Sequence, residues 1–223
     1  MAQAVPLNSL LTVTCHPVLM SAIELSLLLP CLNEAETIGR CVGKALAFLA
    51  RSGMDATVLD VGCGDGTIDR RILDTRLDVS IEGVDVLLRP STKIPVKPFD
   101  GSALPLPDKS VDVVMFIDVL HHTQDPMILL REAKRVARKM VLLKDHRMAK
   151  PLAYLILRFM DWVGNAYHGV VLPYNYWPEA RWRAAFTELE MPIAHWRPQV
   201  DLYAFPASLI FGQGLHFIAA VEP

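Results

Sequence analysis

A glycine-rich turn flanked by acidic residues is the stretch of this sequence best suited to hold a ligand. Residues 58–67 read VLDVGCGDGT, in which an apolar run that contains Asp60 leads into the turn. The glycines alternate strictly, at Gly62, Gly64 and Gly66. Because glycine has no Cβ, such a turn lets the backbone approach a ligand closely. A dinucleotide-binding G-x-G-x-x-G turn would need its third glycine at position 67, where this chain has Thr67.

Histidines form the second group of residues that could do chemistry. His121 and His122 follow an apolar run, and His146 ends another one beside Lys144 and Asp145. Histidine is the natural general base near neutral pH. We therefore take His146 and His122 as candidate bases, with local hydrogen bonding as the competing explanation for each.

The elements that would position these residues alternate between strand and helix. Strands are predicted at Thr57–Val61, Val79–Val84, Val111–Ile117 and Met140–Lys144, and helices at Asn33–Ser52, Thr67–Thr75 and Pro126–Arg138. This alternation predicts a parallel sheet covered by helices. Beyond position 146 the sequence predicts an apolar helix at Pro151–Val163 with Arg158 and Asp161 on its polar side, and a second helix at Glu179–Leu189. Closing antiparallel strands are predicted at Val200–Phe205 and Leu215–Val221.

The pattern D-x-G-x-G-x-G, followed in order by further motifs, resembles the class I S-adenosylmethionine-dependent methyltransferases, and within them the methyltransferase type 11 group. The further motifs are IEGVDV, FDGSALPLPDKSVDVV, VDVVMFIDVLHHTQDP and REAKRVARKMVLLKDH. The resemblance covers about residues 57–221. It implies an α/β fold: a Rossmann-like, seven-stranded, mostly parallel sheet with helices on both faces and an antiparallel C-terminal strand pair.

The resemblance also implies a cofactor, S-adenosylmethionine, and the residues that hold it. A carboxylate at Asp85 would bind the ribose hydroxyls and one at Asp100 the adenine amino group, while Asp118 would border the methionine part. The full set of implied cofactor contacts is Asp60, Gly62, Cys63, Gly64, Gly66, Asp85, Val86, Asp100, Gly101, Ser102 and Asp118.

Methyl transfer from a sulfonium needs a positioned nucleophile, exclusion of water and, for a hydroxyl acceptor, removal of a proton. Candidate contacts to a small-molecule acceptor are His121, Lys144, Tyr174 and Tyr176. The two tyrosines lie in an aromatic segment, residues 167–177, that could pack in the core or fold over the site as a lid. A saccharide, a lipid and another secondary metabolite all remain open as acceptors.

Composition restricts the remaining possibilities. With 22 basic and 24 acidic residues in 223, nothing favours a nucleic-acid partner. The four cysteines lack the spacing of a zinc site, so we expect reduced thiols, no metal and a cytoplasmic protein. Polar residues interrupt the apolar run at residues 10–30, so no integral membrane segment is expected.

Residues 24–53 carry a different resemblance, to the start of family 2 glycosyltransferases, where a strand ending in P-x-L-N-E helps to hold a nucleotide. The match would place Pro30, Asn33 and Glu34 at a site, but no D-x-D metal motif follows in this chain. We therefore divide the chain into a partly irregular N-terminal extension, residues 1–32, and a single methyltransferase domain, residues 33–223, with residues 147–190 as a cap or lid. Two alternatives to a methyltransferase remain: a noncatalytic S-adenosylmethionine-binding protein and a truncated glycosyltransferase.

Overall fold

Seven strands of the described part of the chain form one mixed sheet with helices on both faces. The computed structural model describes residues 56–75, 77–150, 152–165, 172–200, 205, 208–211 and 214–223. The strands are β1 (Ala56–Val61), β2 (Val79–Asp85), β3 (Val96–Pro98), β4 (Val111–Ile117), β5 (Ala137–His146), β6 (Ile193–Arg197) and β7 (His216–Val221). The α-helices are α1 (Thr67–Thr75), α2 (Pro126–Val136), α3 (Ala153–Asn165), α4 (Glu179–Glu188) and α5 (Ser208–Phe211), and a 3-10 helix spans Leu120–His122. The predicted helix Asn33–Ser52 and the segment Pro30–Glu34 lie outside the described residues.

The strand order identifies the end of the sheet at which ligands bind in folds of this kind. The order is β3-β2-β1-β4-β5-β7-β6. The first five strands in this order pair in parallel, and β7 pairs antiparallel with both β5 and β6. Between β1 and β4 the direction of chain progression across the sheet reverses. Ligands of such sheets bind beyond the carboxyl ends of the strands at this reversal. The predicted fold class is confirmed.

Strand alternation sends neighbouring side chains of the central strands into two separate cores. In β4, Val114 and Phe116 face the core that contains Trp182 of α4, whereas Val113 and Met115 face the core that contains Ile72 of α1. Every residue of β4 is buried. A strand covered on both faces reads as an apolar run rather than as an alternating one, as VDVVMFI does.

Several predicted boundaries shift in the structure. Helix α2 ends at Val136 rather than Arg138, because β5 already begins at Ala137. The first strand of the closing pair is β6, which precedes the strand predicted at Val200–Phe205 in the sequence; residues 201–204 of that prediction lie outside the described residues. Three residues of β6, Ala194, His195 and Arg197, are exposed, so this edge strand shows no regular alternation of apolar and polar residues and depends on pairing with β7.

Helix α3 exposes Arg158, as predicted, but buries the second residue expected on its polar side. Asp161, expected on the polar side, is buried, whereas Leu155, Phe159 and Trp162 are exposed. A buried carboxylate needs partners to offset its lost hydration, and Asp161 finds them among the residues of the candidate site. No helix among the described residues has the length and apolar character needed to span a membrane.

Candidate functional site

The glycine turn between β1 and α1 has the tight backbone that its sequence predicts. Gly62, Gly64 and Gly66 all have positive φ, at 76°, 61° and 74°. A Cβ at Gly62 would lie 2.7 Å from the Val119 side chain, and one at Gly66 would lie 2.5 Å from Ile94. A Cβ at Gly64 would meet no atom within 4 Å, so this residue borders open space. The turn is therefore packed at both ends and accessible at its centre.

Asp85, at the end of β2, supports the accessible centre of the turn. One carboxylate oxygen accepts the Gly64 N–H at 2.8 Å, and the other accepts the Leu87 N–H at 2.8 Å. A carboxylate offers about four acceptor positions. Asp85 can therefore hold the loop and still accept hydroxyl groups, as a residue that binds a ribose must do.

Two of the predicted cofactor contacts, Cys63 and Asp60, pack against neighbouring residues of the fold. The Cys63 thiol is half-buried, its sulfur so close to Gly83 that a Cβ there would lie 2.2 Å away. Burial, followed by the charge of Asp60, raises the pKa of this thiol. Asp60 is buried against Asp69 of α1. Burial raises the pKa of Asp60 well above its ordinary value, with Asp69 adding to the effect, and burial also raises the pKa of Asp69 to about 6.

This acid pair gives a testable dependence of stability on pH. Asp69 binds its proton more tightly in the folded than in the unfolded protein, where its pKa is near 3.8. The associated stabilisation is complete below about pH 4 and is lost as the pH rises through about 6. Asp69→Asn should therefore be more stable than the wild type at pH 8, by roughly 1–2 kcal/mol, and should lose this advantage at pH 4. Urea unfolding at both pH values measures the difference.

Asp74→Asn is the matched control, because Asp74 lies on the same helix but is exposed and pairs with Arg70. We expect it to change stability by less than about 1 kcal/mol at both pH values. An Asp69→Asn variant that is less stable than the wild type at pH 8 would contradict the assignment of a proton-sharing pair.

The third predicted motif forms a separate, exposed turn beside the end of β2. Asp100 accepts the backbone N–H groups of Ser102 and Ala103, both at 2.8 Å, which lowers its pKa. Gly101 has a φ of 85°, and a Cβ there would lie 3.2 Å from Val86. Val86 is 64% exposed, so this turn and Val86 present an apolar surface with a carboxylate at its border. No direct contact joins Asp100 to the glycine turn among the described residues.

The predicted histidines meet in a largely buried group at the carboxyl ends of β4 and β5, here called the histidine–aspartate cluster. Its members are Asp118, His121, His122, Lys144, Asp145, His146, Asp161, Tyr176 and His216. The parallel register that pairs Ile117 with Lys144 brings the ends of the two strands level. Helix α3 adds Asp161, and β7 adds His216 opposite His146. The cluster therefore combines residues that are up to 98 positions apart in the sequence.

Asp118 occupies a strained position at the start of the cluster. Its backbone φ is 56°, a value that residues other than glycine adopt uncommonly. One carboxylate oxygen accepts a hydrogen bond from Lys144 Nζ at 2.5 Å, and Lys144 is buried. The other oxygen, Oδ1, is buried and has no hydrogen-bond partner among the described residues.

His121 lies between two carboxylates. Its Nδ1 is 2.6 Å from Asp145 Oδ1, and its Nε2 is 3.4 Å from Asp161 Oδ2, which also accepts the Tyr176 hydroxyl at 2.5 Å. Burial alone would lower the pKa of His121, but Asp145 and then Asp161 outweigh burial and raise the pKa to about 10. Asp145 also accepts the backbone N–H groups of Leu120 and His146.

The two candidate bases, His146 and His122, have lowered pKa values, in contrast to His121. Burial, reinforced by His121, lowers the pKa of His146 well below its ordinary value and that of His122 to about 4. His146 Nδ1 lies 3.2 Å from His121 Nδ1. These lowered pKa values favour the neutral form of both rings, which can bind a metal ion, and they make both rings weaker bases than an ordinary histidine.

The described part of the aromatic segment contacts the cluster and the loop that carries it. Asn175 donates to the carbonyl groups of Thr123 and Gln124, and its backbone N–H donates to the carbonyl of His121. Tyr176 is buried against Asp161, whereas Tyr174 is partly buried under the Arg158 guanidinium. The segment thus contributes both a core contact and a wall of the site; its lid role stays a prediction.

One contact joins the glycine turn to the histidine–aspartate cluster. The Val119 side chain packs against Gly62, and Val119 lies between Asp118 and the 3-10 helix that carries His121 and His122. The predicted cofactor and acceptor residues are therefore neighbours along one edge of the sheet.

Sequence reasoning missed three residues of these arrangements: Asp69, Asp161 and His216. Asp69 sits one turn into a helix, where an acid normally indicates favourable interaction with the helix dipole. His216 starts an apolar strand, and its distance of 70 residues from His146 hides the pairing of the two. For Asp161 the sequence carries only a weak signal, an acidic residue within the largely apolar run 151–163.

Comparison with known proteins agrees with this architecture. Residues 59–143 match the family model described as a methyltransferase domain. The 27-O-demethylrifamycin SV methyltransferase of Amycolatopsis mediterranei is 31% identical over 94 residues, which are 36% of this chain and 34% of that protein. The match therefore spans about a third of the length of this curated relative.

Solved structures share the fold at low identity. An S-adenosylmethionine-dependent methyltransferase from Aquifex aeolicus is 17% identical, with a TM-score of 0.52 over 76% of this chain and 82% of that one. The magnesium protoporphyrin IX methyltransferase of Synechocystis, solved with bound S-adenosylhomocysteine, is 17% identical, with a TM-score of 0.54 over 83% of each chain. At such identities the likeness concerns the fold. Residues 59–143 therefore match a methyltransferase domain model, and the described part of the chain has the fold of these solved methyltransferases.

Proposed function

We propose that the protein transfers a methyl group from S-adenosylmethionine to a small molecule that binds beside the histidine–aspartate cluster. The observation that carries this proposal is the open side of Gly64 next to the Asp85 carboxylate. A glycine turn that is packed at both ends and open at its centre fits a bound molecule, and the carboxylate beneath it fits a ribose.

The roles of the cofactor residues follow from their positions. The turn from Gly62 to Gly66 provides a close backbone approach, and Asp85 accepts hydrogen bonds from hydroxyl groups. Val86 provides an exposed apolar surface for an adenine base, and Asp100 lies in the turn beside it as the partner of an amino group. Gly101 and Ser102 shape this turn. S-adenosylmethionine supplies an activated methyl group when bound.

The acceptor site in this proposal lies on the far side of Val119 from the glycine turn. Lys144, His121 and Tyr176 provide polar groups there, and Tyr174 provides an aromatic face, which suits a hydroxyl group on a ring or a polar head group. The name of the Amycolatopsis relative specifies a substrate that lacks an O-methyl group, which supports an oxygen acceptor. Saccharide, lipid and other metabolite acceptors all fit; the base roles of His146 and His122 stay predictions.

Calorimetry tests the cofactor half of the proposal. The full chain should bind S-adenosylmethionine and S-adenosylhomocysteine and should not bind a UDP-sugar. Binding of a UDP-sugar alone would contradict the proposal and favour the alternative of a truncated glycosyltransferase.

A screen of acceptors tests the catalytic half. Purified protein, S-adenosylmethionine and panels of saccharides, lipids and phenolic compounds are assayed for release of S-adenosylhomocysteine. Release that requires one acceptor class supports methyl transfer. Tight cofactor binding without release from any panel would favour the noncatalytic alternative.

A further inference from the structure

Four potential metal-binding atoms converge within the histidine–aspartate cluster. They come from two histidines and two aspartates: Asp118, His121, Asp145 and His146, whose atoms all lie within 4.8 Å of one another. The two imidazole Nδ1 atoms are 3.2 Å apart. His146 Nδ1 lies 3.9 Å from both Asp118 Oδ1 and Asp145 Oδ1. Three of these residues are buried, and Asp118 is partly so.

We propose that Asp118, His121, Asp145 and His146 bind a divalent transition-metal ion. Two imidazole nitrogens and two carboxylate oxygens form a donor set that suits Zn²⁺, Fe²⁺ or Mn²⁺. Ca²⁺ and Mg²⁺ favour oxygen ligands alone, so these ions fit less well. This assignment takes the place of the base role for His146, because its Nδ1 would carry the metal.

The surroundings of His121 resemble those of a metal-bound histidine. Its Nδ1 lies 2.6 Å from Asp145 Oδ1 and 3.2 Å from His146 Nδ1. Its Nε2 lies 3.4 Å from Asp161 Oδ2 without the alignment of a hydrogen bond, and the Tyr176 hydroxyl holds Asp161 in place. Histidine ligands commonly donate their second ring N–H to a carboxylate, which fixes the ring and raises its basicity. Asp161 is buried and belongs to α3, so this contact comes from a helix outside the strands β4 and β5.

The charge of the cluster favours a divalent ion. Among the described residues the cluster contains three carboxylates, Asp118, Asp145 and Asp161, and one ammonium group, that of Lys144. Buried charges require compensation. A divalent ion bound among the carboxylates would offset the two negative charges that Lys144 leaves.

The orientation of Asp118 agrees with this assignment despite the nearby lysine. Lys144 contacts the Oδ2 atom, and the opposite oxygen, Oδ1, is the buried atom that has no hydrogen-bond partner among the described residues. An unsatisfied buried acceptor indicates a bound ion or water that would complete it. The carboxylate would thus bridge the ammonium group and the metal.

The ion would have a role in catalysis only if the proposed methyl transfer holds. It would lie beside the acceptor, where a divalent metal ion can bind a hydroxyl oxygen and lower the pKa of that group. That role rests on the proposed function, whereas binding of the ion does not.

Metal titration tests the proposal. The full chain, free of any affinity tag and stripped with a chelator, is titrated with Zn²⁺ against a chromophoric chelator, and with Co²⁺ by absorption. We expect one ion per chain. His146→Gln and Asp118→Asn should each weaken binding by more than about 100-fold, and Asp161→Asn by about 10- to 100-fold. His195→Gln, on exposed β6, is the matched control and should bind as the wild type does.

Absence of Zn²⁺ and Co²⁺ binding by the wild type would overturn the proposal, as would equal affinity in all variants. Circular dichroism establishes that each variant folds. Asp118→Asn carries the test if His146→Gln does not fold, because Asp118 is partly exposed.

Calorimetry with S-adenosylmethionine on the same metal-free protein distinguishes failure of the metal site from failure of the proposed function. Cofactor binding without metal binding would overturn only the metal site, and the reverse result only the proposed function.

Discussion

Asp85→Ala should weaken the binding of S-adenosylmethionine by roughly 1–3 kcal/mol, about 5- to 150-fold. The carboxylate has two tasks that alanine cannot perform. It accepts the N–H groups of Gly64 and Leu87, which fixes the glycine turn, and in the proposed function it accepts the ribose hydroxyls. Calorimetry with S-adenosylmethionine and S-adenosylhomocysteine measures the loss.

Glu82→Ala is the matched control, because Glu82 lies on the same strand but is exposed and pairs with Lys97. It should leave the affinity unchanged. Asp85→Asn adds a second comparison, since the amide keeps one acceptor oxygen and should show an intermediate loss. Wild-type affinity in Asp85→Ala would exclude the ribose role.

Asp145→Ala should destabilise the protein by about 3–5 kcal/mol. Asp145 is fully buried and accepts hydrogen bonds from the backbone N–H groups of Leu120 and His146, and it lies 2.6 Å from His121 Nδ1. Alanine would leave these donors buried without a partner. Urea unfolding in the presence of a chelator measures the loss without a contribution from bound metal.

The control for this substitution is Asp108→Ala, which removes an exposed carboxylate that pairs with Arg135. A surface pair of this kind contributes about 0–1 kcal/mol. If Asp145→Ala cost no more than Asp108→Ala, the buried acceptor role of Asp145 would be wrong.

The sequence predicted the central architecture well because its signals are local. The glycine turn and the apolar runs of β1, β2 and β4 appear within stretches of ten residues or fewer, and α1 has the predicted bounds. The short strand β3 was missed because its three residues include Pro98 and cannot show alternation.

The candidate site was predictable only in part, for a physical reason. Residues at strand ends could be placed together, since the carboxyl ends of parallel strands share one edge. His121, Lys144 and His146 were found in this way. Asp161 could not be placed at the site in this way, because contacts with other elements set the orientation of α3. The apolar residues of α3 that are exposed in the structure suggested instead that Asp161 would face solvent.

The contact between Gly62 and Val119 links two positions that are 57 residues apart in the sequence. Alanine at position 62 faces two separate obstacles, a positive φ and the methyl groups of the valine, and a smaller residue at 119 removes only the second. Homologues that keep this architecture should therefore keep glycine at the position of Gly62 whichever residue stands opposite it. A mutant library that randomises position 62 alone should consist mostly of inactive members, whereas one that randomises position 119 alone should keep many active ones.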